Sequence, residues 1–170
     1  MNIKKVISII LVIIWMSVVF LFSNQQGEKS GGTSRKVSAI VVNIINIQNK
    51  YNEIEKEELI NILEPIIRKL AHYTIYMIGG VILANCVFQF CQKHQIAIYI
   101  SLFIGVLYAI SDEIHQLMVI GRSGNIKDVI IDSLGILTGN LFFLLITKLI
   151  KVISKKRRNK GGEQSDCGTI

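Results

Sequence analysis

The chain has 170 residues, 51% of them hydrophobic and only one a proline, with mean hydropathy +0.48 and a formal net charge of +7. The apolar residues gather into long blocks, which excludes an ordinary soluble domain and points to a small helical membrane protein. Three cysteines, Cys86, Cys91 and Cys167, make no disulfide framework and are expected to be reduced thiols.

In chain order, Lys4 and Lys5 precede Val6–Phe22, a run of seventeen residues without charge. No small-x-small cleavage pattern follows at Leu21-Phe22-Ser23, so the run is expected to be an uncleaved first transmembrane helix. From Ser23 to Glu64 the chain is polar, with six glutamates against five basic residues, as suits a translocated loop. Within it Val37, Ile40, Val41, Ile44, Ile45 and Gln48 recur at helical spacing. That pattern predicts a helix on the outer membrane surface, or a short helix capping the bundle. Pro65 is expected in the first turn of the next helix, where its missing N–H costs nothing.

Further spans are expected near residues 70–90, 96–116 and 126–150, each approaching the roughly twenty residues that a bilayer requires. The fold class is therefore all-α: a polytopic membrane protein with four transmembrane helices and an outer surface helix between the first and second. Residues 1–150 would form the membrane domain and residues 151–170 a basic tail. Lys148, Lys151, Lys155, Lys156, Arg157, Arg158 and Lys160 are seven cations with no acid among them. Following a membrane helix directly, they read as a topology determinant and anionic-lipid contact, not as a nucleic-acid surface. With Lys4, Lys5 and Lys93 on the same side, the positive-inside rule puts both termini in the cytoplasm of a multi-pass cell-membrane protein.

Polar residues recur at helical spacing in three of the expected spans. Arg68, His72 and Tyr76 lie at i, i+4 and i+8, with Gly79 and Gly80 a turn deeper. Gly105, Ala109, Asp112 and Gln116 make a second stripe, with Glu113 and His115 beside it. Asp128, Asp132, Gly135 and Gly139 make a third. Small residues at this spacing let helix backbones approach closely in lipid. Ionisable groups at membrane depth cost roughly 2.5–3.5 kcal/mol each at the bilayer centre, and they persist where they face one another, water or a ligand. Counted at about 1.5 Å per residue, His72, Asp112 and Asp132 reach similar depth, so a shared polar pocket opening outward is expected.

These residues carry a resemblance. Arg68-Lys69-x-x-His72-x-x-x-Tyr76, Asp112-Glu113-x-His115-Gln116, Gly121-Arg122-x-Gly124 and Asp128-x-x-x-Asp132-x-x-Gly135-x-x-x-Gly139 resemble the VanZ-like membrane protein family. Phe22-Ser23 with Gln25, Gln26 and Gly27 resembles the family more weakly, and the likeness runs over about residues 6 to 150. Asp132 stands where many relatives carry Asn, and Ile120 where proline is expected. The resemblance implies an outward-acting envelope protein, and the family's namesake is associated with low-level resistance to the glycopeptide teicoplanin. It supplies no reaction and no cofactor.

Three functions stay open on the residues. A binding protein would hold an anionic envelope lipid or lipid-linked cell-wall precursor on Arg68, Lys69 and Arg122, with His72, Tyr76, Asp112, Glu113, Gln116, Asp128 and Asp132 completing the ligand set. An intramembrane enzyme would use His72 or His115 as general base, oriented by Asp112, Glu113 or Asp128. A metal protein would draw on His72, Asp112, Glu113, His115 and Asp128, although no HExxH spacing marks a metal set. Purely structural ion pairing among these acids and bases is the competing explanation.

Overall fold

A computed structural model of the protein describes residues 2–24, 27–46, 51–119, 121 and 124–163, without the side chains of residues 27–31 and 157–163. Gln25, Gln26, Gln48, Ile120, Arg122 and Cys167 lie outside the described residues. Among those described there are five helices and no strand: α1 Ile3–Ser23, α2 Gly27–Ile45, α3 Glu53–Cys91, α4 His94–Gln116 and α5 Ile126–Glu163. Four are long and apolar enough to cross a membrane: α1, α3, α4 and the Ile126–Lys156 part of α5. Their outward faces are apolar along much of their length, from Ile7, Ile10 and Ile14 on α1 to Leu141, Phe142 and Leu145 on α5.

The helix boundaries follow local chemistry. A capping box opens α3: the Asn52 side chain accepts from Glu55 N–H, and the Glu55 carboxylate accepts from Asn52 N–H, each at 2.9 Å. Gln92 ends that helix in the left-handed region at φ 55°, and α4 begins two residues later, so the two helices must run antiparallel. Asn125 caps α5 by accepting from the Lys127 N–H at 3.0 Å.

Pro65 is not where the sequence suggested. It lies well inside α3, which starts at Glu53 and runs for 39 residues. At about 1.5 Å per residue that helix is nearly 60 Å long, twice the hydrocarbon core, so its first turns extend beyond the bilayer. Proline removes one rung of the ladder there. The rung is dispensable because α2 packs along the same stretch. Arg35 of α2 donates to Asn61 at 2.8 Å and to the Glu57 carboxylate, and it stands 3.8 Å from Glu64. The buried stripe of α2 is Ser34, Ser38, Val42 and Asn46, whereas Val37, Ile40, Ile44 and Ile45 point outward. A small, mostly polar face therefore packs on α3, and the apolar face is left available to lipid.

Helix α3 touches each of the other four helices and is the axis of the bundle. Its approach to α5 is backbone on backbone. A side chain at Gly139 or Gly80 would strike the carbonyl oxygen of Met77 or Ile136 respectively, and one at Gly135 would lie 2.6 Å from that of Tyr73. Trp15 of α1 fills the space over Gly79, edge-on to Tyr76 with ring centres 5.8 Å apart. Directional bonds supplement this packing, since lipid offers helices little hydrophobic reason to associate. Trp15 Nε1 donates to Ile75 O at 2.9 Å, Tyr108 Oη to Met16 O at 2.6 Å, and Tyr73 Oη to Thr138 Oγ1 at 3.0 Å. Deeper in the bundle, the fully buried Asn140 accepts from Ser101 Oγ at 3.0 Å and donates to Ile98 O at 3.3 Å, joining α5 to α4.

Substituting Gly139 tests the crossing directly. Gly139→Val should destabilise the protein by about 3 kcal/mol, the upper range for overpacking. Gly32→Ala, inside α2 with nothing within 4 Å, should not lower stability and should raise it by up to about 1 kcal/mol. Thermal unfolding in detergent reads both, and an unshifted Gly139→Val midpoint would mean that α3 and α5 do not meet there.

Candidate binding site

The three polar stripes end at one place. Immediately above the glycine crossing, α3 presents His72, α4 presents Asp112 and α5 presents Asp132, with one nitrogen or oxygen of each within 4.8 Å of the others. His72 Nδ1 stands 3.8 Å from Asp132 Oδ1. Asp132 is 0% exposed and Asp112 4%. Gln116, one turn above Asp112 on the same helix, donates from Nε2 to Asp112 Oδ2 at 2.9 Å. Tyr76, also fully buried, lies one turn along α3 from His72, toward the glycine crossing.

Over this floor lies a cavity of about 430 Å³. Pro65, Arg68, Lys69 and His72 form its α3 wall, Asp128, Ile131 and Asp132 its α5 wall, and Gln116, Gly121 and Asn125 close the side between α4 and α5. Gly121 has φ 78°, a backbone conformation suited to glycine. Lys69 Nζ is 3.8 Å from Asp128 Oδ1, a loose, half-exposed pair. No carboxylate of the described residues lies within ion-pairing distance of Arg68, which is exposed at the rim. The cavity is thus bipolar, acidic in its floor and basic at its mouth.

Two sequence candidates point elsewhere. Glu113 is buried beneath the α4–α5 connection, where Oε2 accepts from the Asn125 N–H at 2.8 Å and so fixes the residue that caps α5. His115 stacks on Phe20 of α1, with ring centres 4.8 Å apart, and does not line the cavity. Sequence reasoning grouped both with Asp112 because they are adjacent in the chain. Successive residues on a helix point about 100° apart, so only Asp112 and Gln116 share the inward face. Asn140 and Trp15 were missed as organising residues. Each had a signal, Asn140 as the amide in an apolar run and Trp15 as the one tryptophan of the chain.

The opposite end of the bundle gathers cations. Lys5 lies over the Phe90 ring at 4.8 Å, and Lys151 Nζ is 3.3 Å from His94 Nε2, which puts the start of α1, the α3–α4 turn and the far part of α5 together.

Comparison with known proteins agrees with the arrangement of motifs. Residues 8–147 match the model of the VanZ/LLP1 family. The chain belongs to the VanZ/LLP1 family. No curated protein and no solved structure gives a significant match. In this VanZ/LLP1 protein the matched region takes in the whole of α3 and α4, most of α1, α5 as far as residue 147 and every residue of the cavity.

Crosslinking checks the convergence. Cysteines replacing His72 and Asp132 should join efficiently through a short bifunctional reagent, and cysteines replacing His115 and Asp132 should not. The reverse outcome would separate α3 from α5 at this level. Glu113→Gln should weaken the charge-assisted bond to Asn125 and lower stability by about 1–2 kcal/mol, read as a fall in the unfolding midpoint.

Proposed function

We propose that this VanZ/LLP1 membrane protein binds the anionic headgroup of an envelope lipid, or of a lipid-linked cell-wall precursor, at the outer face of the cell membrane. The observation that carries the reading is Arg68, a guanidinium at the mouth of a polar cavity with no counter-charge among the described residues. Lys69 beside it holds Asp128 only at 3.8 Å, so a phosphate displaces little in engaging both cations. A guanidinium matches phosphate geometrically through paired N–H donors, and a lysine adds charge. Arg122, outside the described residues, follows Gly121 of the cavity wall in sequence and belongs to the same ligand set. Binding of a cell-wall precursor would connect the protein to teicoplanin resistance, since that drug acts on such precursors.

The outward orientation rests on the cations at the other end. Lys5, Lys93 and Lys151 with the basic tail favour the cytoplasmic side, which leaves the cavity outside and both termini inside. A catalytic reading draws on the His72–Asp132 pair, in which the imidazole would serve as general base. Binding is preferred because no serine, threonine or cysteine lines the cavity among the described residues.

Native mass spectrometry should find anionic phospholipid or precursor retained by wild type and at least tenfold less by Arg68→Ala. Arg122→Lys should fall between them, keeping the charge but losing the fork. Equal retention by folded wild type, Arg68→Ala and Lys69→Ala would overturn the proposal. For orientation, a cysteine at Ser123 should react with an impermeant maleimide on intact cells and one at Lys160 should not. Labelling only at position 160 would invert the topology.

A further inference from the structure

The floor of the cavity has a property that headgroup binding does not use. His72, Asp112 and Asp132 come from three separate helices, yet one ligand-type atom of each lies within 4.8 Å of the others. Independently of that clustering, Asp132 is completely buried while neither carboxylate oxygen accepts a hydrogen bond among the described residues. Its one ion-pair partner among those residues is the His72 ring, at 3.8 Å. Buried polar groups in folded proteins nearly always have partners, and an orphaned carboxylate calls for a specific cause. Here both oxygens are bare at the point where the His72 imidazole and a second carboxylate, that of Asp112, converge.

We infer that His72, Asp112 and Asp132 form a binding site for a single divalent metal ion. One imidazole nitrogen and two carboxylate oxygens make a mixed N/O set, suited to Zn²⁺ or Mn²⁺ more than to Ca²⁺ or Mg²⁺. Three ligands arranged tetrahedrally stand about 3.3–3.6 Å from one another, so atoms now within 4.8 Å close by up to about 1.5 Å, which side-chain rotation supplies. A supporting contact is in place: Gln116 Nε2 donates to Asp112 Oδ2 at 2.9 Å and orients that ligand from behind. Three protein ligands leave a position open toward the cavity, where a water or an anionic oxygen completes the shell. A cation on the floor also reconciles the acidic base of the cavity with an anion at its mouth. The site does not depend on that anion, because the ion alone can be titrated.

The full-length protein in detergent, stripped with chelator and dialysed, is titrated with Zn²⁺ and with Mn²⁺ without added lipid. Calorimetry and elemental analysis should give one equivalent for wild type. Asp132→Asn and His72→Ala should bind at least tenfold more weakly. Glu53→Gln, on the exposed first turn of α3 and outside the cavity, should bind as wild type does. Circular dichroism and gel filtration establish that the variants are folded. Because Asp132→Asn could disturb the helix crossing, Co²⁺ in the wild-type protein gives a second readout. Nitrogen and oxygen ligation should produce visible d–d bands without the near-ultraviolet thiolate band that Cys86 or Cys91 would give. Failure of wild type to retain metal overturns the inference, as does equal binding by wild type and both ligand variants, or a thiolate band in the cobalt spectrum. Loss of anionic lipid in Arg68→Ala with metal binding intact would uphold both the lipid reading and the metal site. Metal binding without any lipid retention would sink the lipid reading alone.

Discussion

Everything in this molecule depends on how closely α3 and α5 cross. Gly80 on one helix and Gly135 and Gly139 on the other leave carbonyl oxygens where side chains would otherwise stand. In lipid the gain comes from van der Waals contact and from interhelical hydrogen bonds, since lipid tails are as apolar as the helix surfaces. The crossing sets the level at which His72 meets Asp132, and it makes the wedge into which Trp15 and Ile136 pack. A bulkier residue there would spread the two helices and dissolve the polar floor before any polar residue had changed.

Above the crossing, the chain retains groups that are expensive to bury. Two aspartates with at most one imidazole between them give more negative than positive charge in a region of low dielectric, where an unpaired carboxylate costs several kcal/mol. The hydrogen bonds observed relieve Asp112 but leave Asp132 bare. Bundle stability alone gives no reason for that burden, because an apolar pair of similar volume would pack there without penalty. The burden falls beneath a cavity with cations at its rim, which is why the site is read as made for a ligand.

The long first part of α3 shows how a local rule yields to tertiary support. Proline favours a helix start, yet α3 continues through Pro65. The capping box at Asn52 begins the helix twelve residues earlier, and Arg35 of α2 secures the intervening turns. Pro65 then lies in the cavity wall, so the lost rung coincides with the mouth of the site. Helix α2 follows the same logic in its orientation. Its serines and Asn46 pack close against α3, and its isoleucines remain outside.

The sequence alone determined the class, the four apolar helices and the level of the polar groups. These follow from hydropathy and from rise per residue, which are one-dimensional properties. It also carried the family, because motif spacing is written along the chain. Helix rotation was decided only in three dimensions. Asp112, Glu113 and His115 are near neighbours in sequence, but packing sends the first to the cavity floor, the second under the α5 cap and the third against Phe20. Spacing shows that Arg68, His72 and Tyr76 share a face. Which neighbour that face meets is a matter of the glycine contacts, the Trp15–Tyr76–Tyr108 cluster and the Ser101–Asn140 bond. Each joins residues distant in the chain, so no local pattern could have specified which pairs would form.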